Sequence, residues 1–312
     1  MKRLLAPLLT LALIGGCQRV PNQIEPTLSY SVQDKYFLAL PSPFPPLTAE
    51  EKTHGWGQEM QIGFGFAHEL DLYQAITAFK RAEFLIPAEN KSRRLEAQYE
   101  ILLCYYMGKK NSDVIYTFEH SDLRYANTTF PAFHDLLLIL YAAYTQEGMD
   151  KEAQRMLQAI QYNYPEEAQQ LSLSTALTAG NLELLGDYSE ERPYLTSFLD
   201  TYEAHKKSIG TAQTLNAALP GAGYLYLGQG QSAATAFLLN GLFIAAAAYF
   251  YSDGNIAAGT IFTSFEAGWY FGGIYGAGLE AKVYNERLYE SLATPMMNKE
   301  HLFPALMLNY AF

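Results

Sequence analysis

Ile62-Gly63-Phe64-Gly65-Phe66-Ala67, followed by Ala75-Ile76-Thr77-Ala78-Phe79 and by Ala82 through Pro87, is the stretch that decides how this chain folds. Small residues at Gly63, Ala75 and Ala82 stand beside Phe66 and Phe79 at helical spacing. Two antiparallel helices carrying that pattern approach closely, and the phenylalanines fill the seam between them. Pro87 closes the second helix, because proline has no amide hydrogen and clashes with the preceding turn. The reading is a helical hairpin.

Moving along the chain by 39 residues brings Ile101-Leu102, Tyr105, Val114 and Phe118 into the same places. A second shift of 39 brings in Leu140-Tyr141, Tyr144, Ala153, Leu157, Ile160 and Pro165. The middle copy is degenerate, with Ala126 where a proline would stand. This series resembles the tetratricopeptide repeat. The period exceeds the usual value of about 34 residues, so each unit carries roughly five extra connecting residues. A helical repeat domain is expected over residues 49–208, with a fourth pair, 166–185 and 190–207, lacking the signature and capping the array.

The resemblance implies a stack with a concave face. By the family's pattern that face carries Met60, Phe64 and Ala67, then Tyr99, Leu103 and Tyr106, then Leu138, Ala142 and Thr145. It is apolar and aromatic, unlike a clamp of lysines and arginines for terminal carboxylates. Two readings stay open: a groove for a hydrophobic or extended peptide, or a seat for other parts of this same chain.

Beyond Lys207 the composition changes. Between Lys207 and Lys282 lie 74 residues with three charges, Asp253, Glu266 and Glu280. Ser232–Tyr251 is 20 residues without a charge, and Ile256–Gly278 is 23 residues with one. Each is long enough to cross a hydrocarbon core of about 30 Å as a helix. The polar turn Ser252-Asp253-Gly254-Asn255 would make them a hairpin. Thr260, Ser264, Gly268, Gly272 and Gly276 recur every four residues, a strip that permits close helix contact in lipid. Asn240 and Glu266 lie 13 residues either side of Asp253, at matching heights. They are read either as a hydrogen-bonded pair fixing the hairpin or as a proton or solute site.

Ahead of the hairpin, Pro220-Gly221-Ala222-Gly223-Tyr224-Leu225-Tyr226-Leu227-Gly228-Gln229 resembles a small hydrophobic module of bacterial envelope proteins. The likeness implies a proline-glycine break before a membrane helical pair and covers about residues 211–285, within a hydrophobic membrane module expected over 209–285. It implies no chemistry. Residues 286–312 are expected to form a tail.

The N-terminus supplies Lys2 and Arg3, the apolar run Leu4–Leu13, and then Ile14-Gly15-Gly16-Cys17. This is an export signal, too short to span a membrane. Leu13 through Cys17 resembles the lipobox of bacterial lipoproteins, which implies lipid on Cys17 and removal of residues 1–16. Six of the fourteen prolines fall between residues 18 and 48, so residues 17–48 read as a proline-rich tether. Cys104, inside Ile101-Leu102-Leu103-Cys104, reads as a core residue.

The chain has 312 residues and a formal charge of −11, which argues against nucleic acid. Six histidines are scattered without metal-ligand spacing, and no phosphate loop or nucleophile elbow occurs. The expectation is an all-α, non-catalytic envelope lipoprotein that needs no cofactor. It would be periplasmic, favouring the inner membrane, and would bind a protein or peptide partner as well as lipid. A small-solute or proton-handling protein centred on Glu266 is the alternative. Oligomeric state is not legible.

Overall fold

The computed structural model describes residues 20–29 and 35–312. Cys17 and the whole export signal lie outside the described residues. The fold is all-helical, 74% helix, with no strand among the described residues and twelve helices of eight residues or more. In order these are α1 Gly55–His68, α2 Leu72–Leu85, α3 Lys91–Met107, α4 Asn111–Glu119, α5 Phe133–Gln146 and α6 Asp150–Asn163. They continue as α7 Pro165–Thr178, α8 Leu182–Ser189, α9 Pro193–His205, α10 Ile209–Ala218, α11 Gly230–Ser252 and α12 Ile256–Lys299. A five-residue helix, Ala222–Tyr226, lies between α10 and α11.

The chain divides into two compact units. Among the described residues the first holds 29, 35–175 and 297–312, and the second holds 20–28 and 176–296. α8 and α9 thus fall in the same unit as the hydrophobic segment. The end of the chain belongs with the first unit.

In the first unit every helix from α1 to α6 packs on the next, and α3 also touches α5. α1 buries Trp56, Met60, Gly63 and Ala67; α2 buries Ala75, Ala78, Phe79 and Ala82. Both sets follow the helical period, so each helix turns one stripe inward. Gly63 lies directly under the Phe79 ring, where any Cβ would overlap it. Asp71 caps α2 by accepting from the Gln74 backbone N–H at 3.2 Å, a contact worth about 1 kcal/mol. Ile86 is extended, as the residue before a proline prefers, and α2 ends there.

The second unit has its own core, formed by Val20, Ile209, Ala212, Leu227, Ala277 and Ala281. Deeper along α12, Tyr289 stands edge-on to Phe198 and Tyr202, and its hydroxyl donates to the Leu177 carbonyl at 2.7 Å. Among the described residues one helix, α11, is long and apolar enough to cross a membrane. Residues 256–278 form the start of the 44-residue α12, where glycines, tyrosines and Glu266 dilute the apolar character. Leu279 to Leu292 continues that same helix. Ring contacts join the two helices: Phe250 stacks on Phe262 at 5.3 Å, and Phe243 meets Phe262 at 6.4 Å.

Candidate functional site

The residues expected on the concave face of the first unit sit deep. Met60, Tyr99, Leu103 and Leu138 are fully buried and Tyr106 is buried, while Phe64 is half-buried and Thr145 exposed. What covers them is the same chain. Phe44, from the proline-rich segment, meets the Tyr99 ring edge-on at 5.7 Å and Phe130 at 5.6 Å. Tyr99 and Phe130 are themselves 5.8 Å apart, so three rings close the face. Such aromatic pairs add about 0.5–1.5 kcal/mol each beyond the area they bury.

Two charged side chains hold the cover in place. Arg93 sits in the first turn of α3 and donates to the Pro45 and Pro46 carbonyls at 2.8 and 3.1 Å. It also forks onto both carboxylate oxygens of Glu51 and reaches Glu96 at 2.7 Å. Hydrogen bonds from Arg93 pull the Glu51 carboxyl down to about 2. Asp135, at the start of α5, does the same for residues 302–312. Its carboxylate accepts from the backbone N–H groups of Asn309 and Tyr310 and from His134 Nδ1 at 2.7 Å. Tyr36 donates to the Leu306 carbonyl, Ala311 N–H donates to the Pro41 carbonyl, and Phe312 is buried. Neither Arg93 nor Asp135 stood out in the sequence as more than a helix-start charge. The available signal was a lone acid opening the apolar run Asp135-Leu136-Leu137-Leu138-Ile139-Leu140.

One part of this face stays open. A cleft of about 630 Å³ lies beside Phe64, walled by Gln61 and Gly65 of α1, by Pro45-Pro46-Leu47 and by Phe312. Its lining is mixed, with the rings and prolines apolar and Ser42, Lys52, Gln61, His68 and Glu96 polar. Elsewhere on α3, Glu100 is fully buried with no partner on either carboxylate oxygen, and the Tyr99 hydroxyl is likewise unpaired. Burial pushes the Glu100 carboxyl and the Cys104 thiol well above their usual ranges. An unreactive thiol and a neutral acid belong to a core.

In the second unit the Pro220-Gly221-Ala222-Gly223 motif has a direct steric cause. Gly221 has φ +92° and its backbone runs against the Ala233 carbonyl, so a side chain is excluded twice. Gly223 lies against the Ala212 carbonyl and the Ala277 methyl. Asn216 fixes the break, its carboxamide oxygen accepting from the Gly221 N–H at 2.9 Å. The break therefore docks the short helix between α10 and α12.

Asn240 is 4% exposed and its amide donates to the Ala236 carbonyl at 2.6 Å. Its carboxamide oxygen has no partner, nor has Oε2 of Glu266, and no hydrogen bond joins the two side chains. Gly268 and Gly272 face open space, whereas Gly276 gives room to the Tyr224 hydroxyl. Of the strip's three glycines only Gly276 thus lies against a side chain, while Thr260 at the strip's start accepts from the Tyr251 hydroxyl. Among the described residues no group of His, Cys, Asp and Glu could hold a metal ion. No family model matches the chain, and no curated protein and no solved structure matches it.

Proposed function

We propose that this protein is a non-catalytic envelope lipoprotein, a scaffold for a protein or peptide partner, held at the membrane by lipid on Cys17 and by α11. In this reading α1–α6 are tetratricopeptide-like pairs facing the periplasm, and α11 with residues 256–278 is a membrane hairpin. Inner-membrane residence is favoured. The observation that carries it is the surface of α11. Phe237, Leu238, Leu242 and Ile244 are 54%, 68%, 61% and 55% exposed, and Ile261 and Phe265 of α12 extend the patch. A water-soluble monomer does not leave that much contiguous apolar surface in water. A bilayer would cover it. The partner would enter at the open cleft beside Phe64, since the rest of the concave face is already filled.

Fractionation of cells expressing Cys17→Ser tests the anchor: carbonate-washed membranes should retain the protein, and its release as a soluble species would overturn the membrane helix. A photo-crosslinker at Gln61 tests the scaffold. One discrete envelope protein should be trapped, and Phe64→Ala, which also gives up an edge-on contact with Phe79, should abolish the adduct while leaving the helical content intact. Undiminished crosslinking would exclude the cleft. A second reading, a proton- or solute-handling site at Glu266, is supported by the unpaired oxygens of Glu266 and Asn240. Glu266→Gln keeps shape and hydrogen bonding but loses the titratable proton, and only that reading requires it to lose function.

A further inference from the structure

A second cleft, also of about 630 Å³, opens in the second unit between α11 and α12. One wall is α11, which contributes Ser232, Thr235, Ala236 and Asn240. The facing wall is Gly268, Gly272 and Gly273 of α12, beside the ring of Trp269. At Gly268 and Gly272 a Cβ would meet nothing within 4 Å, so the glycines leave room that no other part of the described chain occupies.

The lining has a definite chemical character. It holds no lysine or arginine; its one charge is Glu280, already accepting from Gln229 at 2.7 Å. An anionic headgroup would therefore enter against a carboxylate with nothing to pair it. Asn240 contributes a carboxamide oxygen that is buried and has no hydrogen-bond donor. A buried acceptor left without a donor is costly, a cost that a ligand donor would recover. Trp269 lines the cleft and is exposed, and Phe237 of α11 and Phe265 of α12 are exposed on the same two helices. Polar floor, absent cations and apolar surroundings together describe a site for an amphiphile.

We infer that this cleft binds the uncharged, hydroxyl-bearing headgroup of a lipid, with a hydroxyl donating to Asn240 and the hydrocarbon tail lying on the exposed rings. The inference rests on α11 lying in a membrane, which the carbonate wash of Cys17→Ser tests separately.

The experiment uses the full chain in phosphatidylcholine vesicles with a monoacylglycerol carrying a photoreactive group in its acyl chain. Labelling should map to peptides containing residues 232–240 and 265–276. It should be displaced by unlabelled monoacylglycerol and not by phosphatidylglycerol. Gly272→Val fills the cleft where there is space for it, and Asn240→Leu removes the acceptor; each should reduce labelling at least fivefold. Gly268→Val serves as a second filling variant if either of these fails to fold. Equal labelling of folded variants and wild type would overturn the site, leaving only general contact with lipid. Displacement by phosphatidylglycerol would overturn the charge argument. Displacement by free glycerol alone would overturn a lipid as the source of the hydroxyl.

Discussion

Asp135 accepts the backbone N–H groups of Asn309 and Tyr310 at 3.0 and 2.8 Å, joining positions 174 and 175 residues apart in the chain. The carboxylate is fully buried, and its partners are donors at fixed positions in the backbone. A charge in that setting is stabilised by the donors that surround it and is costly without them.

Asp135→Asn should therefore loosen residues 302–312 without melting the helices. Hydrogen bonds to a charged group are worth about 1.5–3 kcal/mol, and the amide would turn donors toward donors. Hydrogen–deuterium exchange should show faster exchange at 305–312, with α3 and α5 unchanged. Unaltered protection there would mean that Phe312 and its apolar neighbours hold the segment alone.

Tyr99 was expected to serve a groove, and it is fully buried between Phe44 and Phe130. Tyr99→Ala should cost about 3–5 kcal/mol, the range for emptying an aromatic core position. Tyr99→Phe should be neutral or stabilising, because the hydroxyl it deletes has no partner. Chemical denaturation of the two variants distinguishes packing from hydrogen bonding at one position.

The Glu51 carboxyl is lowered from 4.5 to about 2, first by hydrogen bonds from Arg93. A depressed acid contributes stability above its unfolded pKa and loses it as pH falls through the folded one. The protein should weaken between about pH 4.5 and 2, and Glu51→Gln should flatten that limb of the pH–stability curve.

Glu100 has the opposite sign. Its folded pKa is raised by burial, so the unfolded chain releases the proton more easily and stability falls as pH rises above the ordinary carboxylate range. Glu100→Met, similar in shape and without unpaired oxygens, should gain about 1–3 kcal/mol at neutral pH. The gain should shrink in acid, and a loss at pH 7 would mean that Glu100 has a partner in solution.

Gly221→Ala should destabilise the second unit by about 1–3 kcal/mol or more, because alanine resists the positive φ and meets the Ala233 carbonyl. Gly268→Ala, within α12, meets nothing and should not lower the melting temperature. Thermal denaturation in detergent separates two glycines that look alike in the sequence.

Helix periodicity and the Gly63–Phe79 seam were legible because both depend on residues within one hairpin. Size complementarity over sixteen positions leaves a local trace. The covering of Tyr99 and its neighbours was not, since Phe44, Arg93 and Asp135 act on segments far away in sequence. Asp135 looks like any acid in the first turn of a helix, favourable to the dipole and unremarkable. The strip through Gly268 and Gly272 was visible as a strip, but sequence does not say what stands opposite it.

Val20 is 1% exposed, seated among Ile209, Ala212, Leu227, Ala277 and Ala281, while Glu25 and Thr27 donate backbone N–H groups to Glu286 and Glu290 of α12. Only two residues, Gln18 and Arg19, stand between Cys17 and Val20, a reach of about 11 Å at full extension over three steps. A lipid on that cysteine would be a short mooring and not a leash. The second unit could not then drift away from the bilayer to search for what it binds, so any ligand of that unit has to arrive at the membrane surface.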